Sequence, residues 1–459
     1  MSEPRRFHIL YCLRLFRYAL LLCLLPMVQA LVAFDWDSLF TALTQDAAIL
    51  LFFLAVSLIR WWATGFLLTQ DSFEAQTGVL MKNRYAFAKN SVAVLEIVRP
   101  LHCRVLGASK VALYFENYAA PRRFQCYLTR KDAQALADLL MPVRQDHSIF
   151  SPTGYEKLSF VMLSANVLTA CAFAWVSFDR MQDVLGENFR QMAWTQLEQL
   201  ELLAERILPA GLAALATLFF LLTGLTFLYA FVRTAGFRVC RNGGVIICKG
   251  GLVTRVERRI SLRCVSSCDI RVTPAARLLR RYPVFITAGS FSGGETPLFV
   301  VKKGREAQVD ALLPGYSKPD GALCEPWRKS PVQYLWKPGT MLVLGLALCG
   351  VAFNVLPGVL PVLALWVAGA LGCMIVSLEG MVKEGFCKNK NRTLSVVFTR
   401  FFTRHDVCVL TQDLAYSLFE HPFSISEGRC DLKVCLPGRV GYKVRGVLQF
   451  KAREIPFSL

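Results

Sequence analysis

Residues that could do chemistry are scattered in this sequence, and they do not form the motifs of common enzyme classes. The sequence contains no Gly-x-Ser-x-Gly, no Walker phosphate loop and no His-Glu-x-x-His. The Gly- and Ser-rich stretch Gly289–Gly294 follows a predicted strand and precedes no helix, so we interpret it as a hairpin loop. The dipeptides His102-Cys103 and His405-Asp406 have no third group in place to activate a nucleophile, and we expect structural roles. We therefore predict that the protein is not an enzyme.

The cysteines and histidines do not form the pattern of a metal site. The 16 cysteines and 5 histidines are dispersed, without a Cys-x-x-Cys pair. Zinc sites usually pair their ligands at short spacing. We expect no metal and no cofactor, and we interpret the cysteines as buried or membrane-facing thiols in a reducing compartment.

Basic residues are the remaining candidates for a functional surface. The formal net charge of +19 favours either nucleic acid or an anionic membrane as a partner. A mean hydropathy of +0.41 and the absence of a nucleic-acid-binding motif favour the membrane. An anionic lipid surface attracts each nearby cation by about 1 kcal/mol. The predicted contacts with anionic headgroups are Lys82, Arg84, Arg255, Arg258, Arg259, Arg277, Arg280 and Arg281. The alternative is that these cations form a solvated cytoplasmic face.

Apolar segments that could position these cations occur in three pairs. Each pair has the length and composition of a helical hairpin, which predicts a membrane protein with six transmembrane helices. The predicted spans are residues 18–34, 47–68, 158–178, 207–232, 340–356 and 359–378. The first segment also resembles a signal peptide, but the second apolar run follows it almost at once.

The distribution of positive charge predicts the orientation of these spans. The segment 179–206 contains only three of the 52 basic residues, and the loop after the first span contains none. By the positive-inside rule, both termini and all soluble modules are predicted on the cytoplasmic side of a bacterial inner membrane. We divide the chain into 1–68 (basic segment and first hairpin), 69–157 (module 1), 158–232 (second hairpin, with the extracytoplasmic segment 179–206), 233–337 (module 2), 338–378 (third hairpin) and 379–459 (module 3).

The soluble modules are predicted to be copies of one unit. Gly78-Val-Leu80 matches Gly251-Leu-Val253 at a turn between alternating, strand-like stretches. The helical pattern Lys131–Pro142 matches Arg305–Pro314, and each ends at a proline. Because each match follows an apolar hairpin, we interpret the order as an internal repeat.

These modules resemble a known family. The residues that carry the resemblance are Gly250–Ile260, Arg277–Arg281 and Phe285–Gly289, with weaker counterparts at Arg104–Gly107 and Val111–Phe115. The chain is similar to the bacterial PH-like, membrane-flanked domain proteins, the YdbT/YdbS-like family. The resemblance implies hairpins alternating with three cytoplasmic α+β PH-like modules, each a β-barrel or sandwich closed by a helix. Module 3 lacks the Leu-Leu-Pro helix, so we expect it to be degenerate and without a capping helix.

The resemblance also sets the functional expectation. It implies a non-enzymatic scaffold of the bacterial envelope whose modules bind protein partners or anionic lipid, with a link to resistance against bacteriocins and other membrane-active peptides. Partners would be the bilayer and other membrane proteins, such as a smaller PH-like family member or a second copy, and not nucleic acid. The alternative is a component of a transporter or channel. The predicted spans place ionisable groups such as Arg60 and Glu379 only near span ends, which disfavours transport.

Overall fold

A computed structural model gives the architecture of this chain. It describes residues 5–12, 36–69, 72–79, 81–116, 123–143, 148–152, 154–164, 195, 199, 202, 210–293, 296–302, 309, 312–313, 316, 331–355, 359–388, 393–400, 403–410, 415–420, 428–435 and 441–449.

The described part of the chain is rich in β-structure. Its strands are β1 Gly65–Leu68, β2 Ser72–Thr77, β3 Asn83–Ala88, β4 Val92–Arg99, β5 Ala108–Phe115, β6 Arg123–Thr129, β7 Ser148–Phe150, β8 Arg238–Asn242, β9 Val245–Gly250, β10 Arg255–Ser261, β11 Val265–Val272, β12 Arg281–Ala288, β13 Phe299–Lys302, β14 Gly385–Lys388, β15 Thr393–Arg400, β16 Thr403–Leu410, β17 Ala415–Phe419, β18 Arg429–Cys435 and β19 Gly441–Leu448. The α-helices are α1 Trp36–Trp62, α2 Leu101–Val105, α3 Arg130–Leu140, α4 Tyr155–Ser164, α5 Ala210–Thr234, α6 Pro274–Leu279, α7 Pro331–Val355 and α8 Leu360–Lys383.

The prediction of a fold based on six transmembrane helices is wrong. In the described part of the chain, two helices are long and apolar enough to cross a membrane, Tyr334–Asn354 and Val362–Lys383. The rest is largely four β-sheets. Hydropathy failed because an apolar run does not show where a helix ends and a strand begins. The predicted span 47–68, for example, contains the end of α1, a turn and all of β1.

Several predicted segments cannot be compared with the structure. The span at 18–34, most of the span at 158–178 and nearly all of segment 179–206 lie outside the described residues. The chain end at 450–459, on which the prediction of an uncapped module 3 rests, lies outside them as well. The helices α7 and α8 coincide with the third predicted hairpin, and both are long and apolar enough to cross a membrane.

Each module consists of two groups of three strands. The groups are β1–β3 and β4–β6 in module 1, β8–β10 and β11–β13 in module 2, and β14–β16 and β17–β19 in module 3. A shift of 173 positions carries β4 at 92–99 onto β11 at 265–272, and β5 at 108–115 onto β12 at 281–288. The predicted internal repeat of modules 1 and 2 is therefore present in the positions of their strands.

The sheets continue from one module into the next. A seven-stranded sheet has the order β6-β5-β4-β10-β9-β8-β7, so that β4 of module 1 pairs with β10 of module 2. A six-stranded sheet has the order β13-β12-β11-β16-β15-β14, so that β11 of module 2 pairs with β16 of module 3. Both pairings are antiparallel. We call them the first seam and the second seam.

Buried and exposed residues do not simply alternate along these strands, and the cores explain why. The first six residues of β4, from Val92 to Ile97, are all buried, because the strand lies inside the seven-stranded sheet and is covered on both faces. Helix α3 closes module 1 with Ala133, Leu136 and Leu140 buried against the sheet. Thr129 caps this helix by accepting a hydrogen bond from the backbone N–H of Asp132.

Candidate lipid-facing site

The structure separates the eight predicted lipid-contacting cations into two groups. The side chains of the first group reach solvent, and those of the second group lie largely within the protein. The exposed residues are Lys82, Arg84, Arg255, Arg277 and Arg280, and the buried or partly buried ones are Arg258, Arg259 and Arg281.

Arg258 forms an ion pair across the first seam. It lies on β10 directly opposite Glu96 of β4, and its Nε donates to the Glu96 carboxylate at 2.7 Å. Its guanidinium also lies 5.6 Å from the ring centre of Phe291. On the same carboxylate, Tyr114 donates to the second oxygen at 3.4 Å. Burial, followed by the charge of Glu96, raises the pKa of Tyr114 to about 12, so the phenol stays a donor.

Arg259 and Arg281 have internal carboxylate partners as well. Arg259 donates at 2.7 Å to Asp138 on α3, and at 2.8 Å to the carbonyl of Met141. Arg281 donates to Glu156 of α4 at 3.1 Å. The Arg259 and Arg281 side chains are largely buried, so each guanidinium would be left buried and unpaired without its carboxylate. These two arginines therefore join secondary-structure elements.

Glu156 joins α4 to two neighbouring strands. Lys302 of β13 and Arg281 of β12 both lie 3.1 Å from its carboxylate. The hydrogen bond from Lys302, reinforced by Arg281 and opposed by partial burial, lowers the pKa of Glu156 below its ordinary value. The carboxylate is thus held ionised against its two cations.

Exposed apolar side chains accompany the exposed cations. Met81 is 83% exposed beside Lys82, Leu252 is 59% exposed near Arg255, and Leu278 is 86% exposed between Arg277 and Arg280. On α2, Val105 is 78% exposed next to Arg104. We call the segments 81–84, 101–106, 251–255 and 277–280 the apolar–basic rim.

Backbone hydrogen bonds place part of the rim at the end of an apolar helix. The N–H of Leu252 donates to the carbonyl of Val232 in α5 at 3.0 Å, and that of Gly251 donates to Ala235 at 2.8 Å. Gly251 has a φ of +100°, and a Cβ there would lie 2.0 Å from the carbonyl oxygen of Thr254. Only glycine fits this turn. Arg104 of α2 then donates to the carbonyl of Leu252 at 3.1 Å, which ties two rim segments together across the modules.

A second link ties the rim to one of the two long apolar helices. Arg277 of α6 forms an ion pair of 2.5 Å with Glu379, which lies one turn before the end of α8. Helix α6 is short because Thr273 caps its start, Pro274 occupies its first turn and Arg280 ends it in the left-handed region at φ 52°. Leu278 and the flanking arginines are therefore presented near the end of α8.

This arrangement has the chemistry of an interfacial lipid contact. Apolar side chains gain free energy when they leave water for the acyl boundary, and neighbouring cations are attracted to anionic headgroups. The sequence analysis identified the cations and missed the apolar members, Met81, Val105, Leu252 and Leu278. The available signal was large apolar residues at turns, such as Leu252 after Gly251, where a soluble loop is usually polar.

The apolar hairpin of α7 and α8 is fixed to module 3 by a buried polar cluster. The carboxylate of Glu384, directly after α8, accepts from Tyr334 of α7 at 2.9 Å and from Arg445 of β19 at 2.8 Å. It also accepts from the backbone N–H of Thr399 at 2.9 Å. Burial opposes the charge of Arg445, but its hydrogen bond to Glu384 outweighs this and raises the Arg445 pKa. The hairpin and the module therefore share one charge-paired junction.

The side chains considered for catalysis have structural contacts. Burial raises the pKa of Cys103, and Lys110 opposes this only partly, which keeps the thiol in its less nucleophilic form. His405 lies 3.1 Å from Asp269 across the second seam and stacks on Phe398. The Gly289 loop follows β12, and the N–H of Ser290 donates to the carbonyl of Phe115 at 2.9 Å. This loop therefore takes part in the contact between modules 1 and 2.

The comparison with protein families identifies the modules. A model described as bacterial PH domain matches residues 20–144 and 196–313, more than half of the chain. The chain belongs to the bacterial PH domain family. The two matches contain the described strands of the bacterial PH domains that we call modules 1 and 2, and module 3 lies outside them. PH-like domains often bind lipids or proteins. No curated protein and no solved structure matches the chain.

Proposed function

We propose that this protein is a non-enzymatic scaffold of the bacterial inner membrane, anchored at least by the hairpin of α7 and α8. Its bacterial PH domains face the cytoplasm and bind anionic lipid headgroups through the apolar–basic rim. The narrower relation to the YdbT/YdbS-like group, with a smaller PH-like protein as partner, is part of this proposal.

The observation that carries the proposal is the pairing of exposed apolar side chains with exposed cations, which for Leu252 and Leu278 occurs at the ends of the apolar helices α5 and α8. Leu278 lies between Arg277 and Arg280, and Arg277 is itself bound to α8. A solvated face that only follows the positive-inside rule explains the exposed cations. It does not explain why Met81, Val105 and Leu278 are exposed to water. Lipid contact accounts for both kinds of side chain.

The lipid retained by the full-length protein tests this proposal. We would purify the chain in nanodiscs that contain equal amounts of anionic and zwitterionic lipid, and measure the co-purifying lipids by mass spectrometry. The rim variant Lys82→Gln/Arg280→Gln removes two exposed cations. With about 1 kcal/mol for each cation near the surface, the enrichment of anionic lipid should fall by roughly tenfold or more.

A matched control removes two charges from the other end of the strands. Lys89 and Arg263 lie in the 3-10 turns that follow β3 and β10, a strand length from the rim segments. The variant Lys89→Gln/Arg263→Gln should retain anionic lipid as the wild type does. Equal retention by all three proteins would contradict the proposal, as would an equal loss in both variants.

The proposed link to resistance against membrane-active peptides is tested separately in cells. Deletion of the gene should lower the concentration of bacteriocin or cationic peptide that stops growth. The complementing rim variant should restore less resistance than the complementing control variant. An unchanged susceptibility of the deletion strain across a peptide panel would remove this part of the proposal.

A further inference from the structure

The two seams follow one topological rule. In each seam, the first strand of a module's second group pairs with the third strand of the next module's first group. The pairs are β4 with β10 and β11 with β16. The rule joins module 1 to module 2 and module 2 to module 3 in the same way.

This rule does not assign a partner to one strand of module 1 and one strand of module 3. Strand β3, the third of module 1, is an outer strand of the sheet β1-β2-β3. Strand β17, the first of the second group in module 3, is an outer strand of the sheet β17-β18-β19. In the part of the chain that the structure describes, no strand pairs with the outer edge of β3 or with the outer edge of β17. The rule that joins the three modules would pair these two edges with each other.

The charges at matching positions fit such a pairing. The first seam pairs Glu96 with Arg258, and the shift of 173 positions carries Glu96 onto Asp269, which lies 3.1 Å from His405 in the second seam. At the outer edges of the two sheets, β3 has no basic side chain at the matching position and β17 has no acidic side chain. The same shift places Tyr85 of β3 at the position of Arg258, and β17, Ala-Tyr-Ser-Leu-Phe, has no acidic residue.

The joint loss of both charges argues for a particular occupant. A partner strand that carried a carboxylate at this position would place it opposite Tyr85, without the cation that Arg258 supplies in the first seam. The neutral β17 leaves no charge unpaired against β3. The edge itself offers backbone donors and acceptors for an added strand.

We infer that copies of this chain assemble head to tail, with β17 of one copy paired antiparallel to β3 of the next. The contact is heterologous, so it propagates beyond a dimer unless a ring closes. The assembly extends the scaffold role proposed above. Its test measures mass and not lipid, so either proposal can fail without the other.

Two blocked variants of the full-length protein test the inference. Proline in a strand removes a ladder donor, so Ala86→Pro should block the β3 edge and Ser417→Pro the β17 edge. In light scattering of detergent-solubilised protein, the wild type should form dimers and larger species as concentration rises. Each variant alone should stay monomeric. An equimolar mixture should form dimers and nothing larger, since the open β17 of one variant meets the open β3 of the other.

The conservative variants Ala86→Ser and Ser417→Ala should assemble as the wild type does. If a proline variant fails to fold by circular dichroism, hydrogen–deuterium exchange of the wild type replaces it. Amides in 83–88 and 415–419 should then become protected with increasing concentration, while amides in β2 should not change. A wild type that remains monomeric, an assembly that survives both proline changes in one folded chain, or unchanged exchange at both edges would overturn the inference.

Discussion

Gly289 shows how closely the first two modules approach each other. Its φ is +50°, and a Cβ at this position would lie 2.5 Å from the carbonyl oxygen of Phe115 and 2.8 Å from the Cβ of Ala93. The loop that the sequence places in module 2 is therefore packed against module 1. A side chain here would strain the backbone and also separate the two modules.

The variant Gly289→Ala should lower the free energy of unfolding by about 2 kcal/mol or more, since it combines a left-handed backbone with a steric clash. Gly107→Ala is the matched control. Its φ is +69°, but nothing lies within 4 Å of the position that an alanine Cβ would occupy, so it should cost only the backbone strain of about 1 kcal/mol. Chemical denaturation of both variants checks this, and equal losses would contradict the close contact at Gly289.

The pair of Glu96 and Arg258 gives a second residue-level prediction. Loss of one member of a buried ion pair typically costs about 3–5 kcal/mol, because the other charge stays buried. Arg258→Met should therefore destabilise the protein strongly. The double variant Glu96→Gln/Arg258→Met should recover much of the loss. A double-mutant cycle measures the coupling, and additive effects of the two substitutions would show that the pair does not join the modules.

At the scale of elements, Glu156 fastens helix α4 to β12 and β13. Its pKa is lowered in the folded protein, so the unfolded chain takes up this proton first as the pH falls. The stabilisation is present above the unfolded pKa of about 4.3 and is lost as the pH falls through the lower folded value.

The variant Glu156→Gln should therefore lose less stability than the wild type between about pH 5 and pH 3. The exposed Glu74 on β2 provides the control substitution Glu74→Gln. Thermal unfolding across this range checks the prediction. If Glu156→Gln follows the same acid dependence as the wild type, the ion pairs with Arg281 and Lys302 do not hold α4 in place.

At the scale of the whole molecule, the sequence predicted local structure better than the pairing of modules. Glycine at 78 and 251 and the helix pattern at 131–142 revealed a repeat and a closing helix, because turns and caps depend on nearby residues. The seams join strands more than 130 residues apart, as in β4 with β10 and β11 with β16, and no local pattern encodes such a partner.

The basic stretch 255–259 illustrates the same limit at the candidate site. Its sequence, Arg-Val-Glu-Arg-Arg, reads as an exposed charged strand. In the structure β10 lies inside a seven-stranded sheet, so Arg258 and Arg259 meet Glu96 and Asp138 from other elements. Arg255, Lys82 and Arg280 remain exposed because they lie at strand and helix ends, where the rim is formed.

Depth-dependent quenching tests most directly the central claim that the rim contacts the membrane. A fluorescent unnatural amino acid would replace Met81, Leu278 or, as the control at the opposite end of β3, Asn90. The full-length chain would be reconstituted in vesicles whose headgroups carry a quencher. We predict strong quenching at 81 and 278 and little at 90. Equal quenching at all three positions, or quenching at 90 alone, would contradict a rim that faces the membrane.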